Sequence, residues 1–208
     1  MRTRTRHLAS LAVATALAVG TAVSAHAVTA TLGNDVVERG LADTFRDFVI
    51  VDTNTPAPFD GTIERIDYWA QRPGDIRFVL VDPAGVVTWV GPVVTATTAG
   101  PRSVTLDAPV GLVAGTDLGV YSVGTGVVSW QYDDAAAPAP FTANASGLPA
   151  VGDTLEVVAD SRRVYSMRAD VRASSPEVCK DGGWERYGYR NQGQCIASVV
   201  ANERAGKG

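Results

Sequence analysis

The chain holds 208 residues, 46% hydrophobic and 19% charged, with 18 Lys and Arg against 22 Asp and Glu, two cysteines and two histidines. Both histidines, His7 and His26, fall in an N-terminal stretch that reads as a removable export signal. The mature chain then has no imidazole for Ser-His-Asp or Cys-His catalysis or for the usual zinc sites.

That stretch is residues 1–27. Arg2, Arg4 and Arg6 form a basic start, Leu8 to Val23 an apolar run, and Ala25-His26-Ala27 an A-x-A cleavage site. The run is diluted by Ser, Thr and Gly and falls short of the roughly 20 residues that a membrane span requires. The expectation is a secreted, extracellular protein with no membrane span after cleavage. Removing the three arginines leaves 15 cations against 22 acids, a net charge of −7. Nucleic acid and anionic membranes find no electrostatic footprint there.

Residues 33–45 read as a short helix capped by Asn34 or Asp35. From Phe45 onward the pattern is β. Strands are expected at 45–51 and 61–70. In 75–82, Ile76, Phe78 and Leu80 alternate with Arg77, Val79 and Val81. The strand 86–90 follows through Asp82-Pro83-Ala84-Gly85, whose residue types suit a type I turn. Further strands are expected at 103–107, 154–159 and 162–171, and 118–123 and 127–132 suggest a second hairpin around Gly124-Thr125-Gly126. No window beyond residue 45 shows a sustained helical period.

Short strands spaced by Gly and Pro turns predict an all-β protein, an antiparallel β-sandwich of jelly-roll-like form, with a closed barrel as the other possibility. The sandwich is placed at 28–172, a linker at 173–178 and a Cys-bounded tail at 179–208. Composition shifts at that boundary: 18 acidic and 10 basic residues lie before it, 4 and 5 after it.

"PFDGTIERIDYWA" (58–70), "IRFVLVDPAGVVTWVG" (76–91) and "VGLVAGTDLGVYSV" (110–123) are similar in order and spacing to exported bacterial β-sandwich domains. The tail, Cys179-Lys180-Asp181-Gly182-Gly183-Trp184 and then Asn191-Gln192-Gly193-Gln194-Cys195, resembles the "CK-x-GGW…NQG-x-C" tail of exported actinobacterial proteins of uncharacterised function. The resemblance implies secretion and carries over no catalytic residue.

Two cysteines without histidine cannot supply four metal ligands, and the fifteen residues between them do not fit a C-x-x-C redox centre. In an exported chain they read as a structural disulfide, Cys179–Cys195. Closing such a loop is worth about 3 kcal/mol on the chain-entropy model. Trp184, Tyr187 and Tyr189 inside the loop are expected to pack on one another or on the sandwich, and they are the tail's candidates for recognition.

Tyr68, Trp69 and Trp130 are the candidates for a sugar-stacking platform, against the alternative that they fill the core. Glu64 and Glu156 are the strand-borne carboxylates that a glycoside hydrolase would need. Asp133-Asp134, Asp60-Gly61 and Asp117 are turn-placed oxygens of the type calcium accepts, but no D-x-D-x-D-G run occurs. No catalytic residue, metal or cofactor is assigned. The preferred reading is a non-catalytic binding or surface-interaction module, its partner an extracellular glycan or cell-surface protein. The alternatives are a carbohydrate-active hydrolase and a purely structural secreted protein.

Overall fold

A computed structural model describes residues 27–133, 139–144, 147–155 and 157–205. The expected export signal up to residue 26, Asp134 and Glu156 therefore lie outside the described residues. Among the described residues no helix is long and apolar enough to cross a membrane.

The sandwich strands are β1 (Thr29–Gly33), β2 (Phe48–Asp52), β3 (Gly61–Ala70), β4 (Gly74–Val81), β5 (Val87–Val90), β6 (Val94–Ala96), β7 (Gly100–Leu112) and β8 (Asp117–Ser122). They continue with β9 (Trp130–Tyr132), β10 (Ala139–Asn144), β11 (Val157–Ser161), β12 (Arg163–Tyr165) and β13 (Met167–Ala173). One sheet runs β1-β13-β3-β7, the other β11-β10-β2-β8-β4-β5, with β6 also beside β4; every pairing is antiparallel. Early strands alternate between the sheets, and β13 returns to lie between β1 and β3. This is the winding of a jelly roll. Between β8 and β13 the chain inserts a two-stranded ribbon, β9-β12, and the pair β10-β11 that widens the second sheet.

Period-2 alternation explains the core. Leu32, Ile63, Ile66, Tyr68, Met167, Ala169 and Val171 of the first sheet face Phe48, Ile50, Ile76, Phe78, Leu80, Leu118 and Val120 of the second. Each large aliphatic or aromatic side chain so enclosed contributes about 1.5–3 kcal/mol. Tyr68 and Phe78 meet edge to face across the layer at 5.3 Å. The last two odd positions of β4 are apolar too, because Val79 and Val81 join Val49, Val51, Val87, Tyr121 and Leu155 in a second cluster on the outer side of the second sheet.

The expected β4–β5 hairpin forms. Asp82 Oδ1 accepts the Ala84 and Val86 N–H groups, both at 2.9 Å, and Gly85 takes the left-handed conformation at φ +80°. The second expected hairpin does not. β8 is flanked by β2 and β4, so it has no open edge for β9, which pairs with β12 instead. No helix forms at 33–45 either. The Asn34 amide is drawn away from a capping role, donating to Asp52 and to the Tyr165 carbonyl, and Leu41 bridges to Trp130 in extended form.

Beyond β13 the chain turns through a 3-10 helix, Pro176–Cys179, then α1 (Gly183–Arg186) and α2 (Gln192–Ala205). α2 corrects the expectation of no helix after residue 45. Asn191 Oδ1 accepts the Gln194 N–H at 2.9 Å, and Cys195, Ser198 and Val199 form the buried stripe. Cys179 and Cys195 are bonded to each other, and both are fully enclosed in the main core cluster. The segment expected as a linker leads directly into a tail that packs on the sandwich. Tyr187 meets Phe59 edge to face at 5.7 Å. A Cβ on Gly183 would lie 1.9 Å from the Val178 carbonyl oxygen, so this close approach requires glycine.

Candidate functional site

Because Ile66 and Tyr68 of β3 and Met167, Ala169 and Val171 of β13 point into the core, their neighbours point out. The outer face of the first sheet therefore presents Arg65, Asp67 and Trp69 beside Arg168, Asp170 and Arg172. A register shift between Ile63 and Arg65 leaves both Glu64 and Arg65 exposed. β1 adds Thr29 and β7 adds Ser103 and Thr105.

Two open depressions lie on this face. The larger, about 610 Å³, is lined by Asp35, Val37, Asp67, Pro101, Ser103 and Arg168 among others. The smaller, about 370 Å³, is lined by Thr29, Thr62, Glu64, Thr105, Asp170 and Arg172 with Arg65. β3, β7 and β13 each contribute to both, through residues two positions apart, so the depressions adjoin along the strands.

The charges on the face answer one another. Arg65 lies 2.9 Å from Asp67 and Arg172 2.9 Å from Glu64, while Arg168 sits 3.9 Å from both Asp35 and Asp170. The Ser103 hydroxyl donates to Asp67. Arg102, on the edge strand, donates to the Thr98 carbonyl at 2.9 Å.

Of the six aromatic candidates, Trp69 is the one on this face. It is half-buried, stands opposite Pro101 in the β3–β7 register, and lies outside the interior cluster. Tyr68 is 1% exposed and belongs to the core. Trp130 is also buried, with the Arg163 guanidinium over its ring and the exposed Tyr132 edge-on at 4.9 Å. Trp184, Tyr187 and Tyr189 are half-buried against the core, and the Tyr189 hydroxyl is hydrogen-bonded to that of Ser198 at 2.9 Å.

The carboxylates divide in the same way. Glu64 is engaged with Arg172 at the surface. Asp52, 2% exposed, accepts hydrogen bonds from Asn34, Asn54 and the Tyr165 N–H; burial pushes its carboxyl above the ordinary range against the pull of those donors. Asp43 is raised in the same way against Arg163 and the Tyr165 hydroxyl. Asp117, the first residue of β8, is pushed up to about 7 by burial and by the Asp52 charge. Asp60 Oδ1 accepts the Ala114 N–H. Among the described residues no three His, Cys, Asp or Glu side chains gather to hold a metal.

Sequence reasoning missed Arg168, Asp67, Ser103 and Thr105 as members of one surface. Their alternation was visible, but the register that sets them side by side was not. No family model, curated protein or solved structure matches this chain.

Proposed function

We propose that the protein is an exported, non-catalytic binding module whose outer sheet face takes an extracellular glycan. The carrying observation is the placement of Trp69 on the same face as two adjoining depressions lined by hydroxyl, guanidinium and carboxylate groups. An indole offers a flat apolar surface to a sugar ring, and converging donors and acceptors suit its hydroxyls. The ion pairing of Glu64 with Arg172 supports binding over hydrolysis, because a general acid needs a carboxyl free to hold a proton. The N-terminal signal pattern and the resemblance of the tail to those of exported proteins support a place outside the cell.

The test is a glycan array probed with residues 28–208. Trp69→Ala should weaken binding by about tenfold or more, the loss of one stacked ring, with the melting temperature unchanged. A mature protein that binds no glycan on the array overturns the reading.

A further inference from the structure

The pairing of charges on this face says which glycan it selects, an inference that rests on the glycan reading. A polyanionic chain is held by cations with no other partner, commonly arginines gripping carboxylate or sulfate in bidentate fashion. Here three of the four arginines that line the depressions are paired with acids, Arg65 with Asp67, Arg172 with Glu64 and Arg168 between Asp35 and Asp170, and the fourth, Arg102, is held by Thr98. With Arg102 the two depressions hold four acids and four cations, a lining with no net charge. At three of the four arginines an incoming carboxylate would have to displace a protein carboxylate and leave it beside the ligand, a like-charge contact. The mature chain's net charge of −7, from 15 cations and 22 acids, repels polyanions at longer range as well.

The shape carries the second half. From Thr62 to Trp69, β3 advances about 24 Å at roughly 3.4 Å per residue. Residues along that whole length face the depressions or stand beside them, and β7 and β13 flank them on either side. A site for one sugar or a chain end would instead gather its polar groups around a single hollow.

We infer that the face takes an uncharged, extended glycan strand laid along β3 across both depressions, and discriminates against chains bearing uronate or sulfate groups. Each ion pair then acts as a fixed set of donors and acceptors for hydroxyls.

Calorimetric titration of residues 28–208 tests this with neutral ladders (gluco-, xylo-, manno- and chito-oligosaccharides, disaccharide to hexasaccharide) and with oligogalacturonate and sulfated ladders. The expected result is a neutral ladder whose affinity rises by about tenfold or more from disaccharide to hexasaccharide as the second depression fills. Glu64→Gln, an exposed change that unpairs Arg172, should shift the ratio of oligogalacturonate to neutral-ladder affinity severalfold toward the charged ladder. A preference for the charged ladders, or a disaccharide bound as tightly as the hexasaccharide, overturns the inference and leaves the glycan reading standing. Binding of no ladder at all overturns both.

Discussion

The Arg163 guanidinium lies 4.3 Å from the centre of the Trp130 ring, and the same group reaches Asp43 at 2.9 Å. One side chain thus joins the β9-β12 ribbon to the segment before β2. Asp43 also accepts the Tyr165 hydroxyl at 3.1 Å, and burial together with the Asp43 charge drives the Tyr165 phenol far above its ordinary range. Removing Arg163 leaves a 5%-exposed carboxylate without its ion-pair partner, with only the charge of Arg72 still acting on it. Arg163→Ala should cost about 2–4 kcal/mol in urea denaturation at pH 8, as expected for breaking a buried pair. Asp43 titrates above its unfolded value of about 3.9, so its protonated form is the favoured buried one. The deficit should therefore shrink as pH falls toward 4.5. A deficit independent of pH would assign the loss to packing on Trp130 alone.

Asp117 behaves differently because it has no cation beside it. Its folded value of about 7 exceeds the unfolded one, so folding takes up a proton between them. Its contribution to stability is greatest at low pH and is lost as pH rises from about 4 to about 7. Asp117→Asn should stabilise by about 1–2 kcal/mol at pH 8, a figure reduced from the full shift for the side chain's partial exposure, and be neutral near pH 4. Guanidinium unfolding at both values checks it; the same effect at each would contradict the assignment.

The disulfide should be slow to reduce. Both cysteines are 0% exposed and touch the main core, so a thiol reaches them only after the tail opens. Replacing both by serine should lower stability by about 3 kcal/mol, on the loop-closure model. The change should also alter the environment of Phe59, which packs on Tyr187 inside the loop. Thiol labelling after timed exposure to dithiothreitol, with and without low urea, reads the opening. Complete reduction within seconds in native buffer would rule out an enclosed bond.

Two tail glycines separate steric from conformational cost. Gly183 has the Val178 carbonyl 1.9 Å from where a Cβ would sit; Gly188 has nothing within 4 Å, but its φ is +76°. Gly183→Ala should cost about 2–3 kcal/mol by overpacking. Gly188→Ala should cost about 1 kcal/mol, the strain of a left-handed alanine. Thermal unfolding of the pair gives the order, and a larger loss at Gly188 would reverse the argument.

How far the residues declare their structure depends on how local the deciding interaction is. The β4–β5 turn was legible because Asp82 makes both of its side-chain hydrogen bonds within four residues. The false hairpin after β8 had good local chemistry and failed for a distant reason, since β2 and β4 already occupied both edges of β8. α2 shows a weak apolar period because much of its buried stripe is Cys195 and Ser198, which read as a crosslink and a polar residue until the tail is folded. For the site, alternation showed that Tyr68 and Trp69 face opposite ways. Which of them faces outward is decided by the sheet behind: Tyr68 meets Phe78 of β4. The ion pairs could not be read at all, because Arg172 and Glu64 are 108 residues apart and meet only through the β13–β3 register.

β1 has a single sheet neighbour, and that neighbour is β13, the last strand to appear. A ribosome delivering this chain from its N-terminus would release β1 before β13 and leave it without its sheet partner until residue 173 emerged. Until then the first sheet is a two-stranded remnant, β3-β7, with the inner faces of β1 and β3 incompletely covered. Such long-range closure is slow and leaves apolar edges open while it waits. The late arrival of β13 acts as a timer: the sandwich closes only once the chain has been delivered through residue 173.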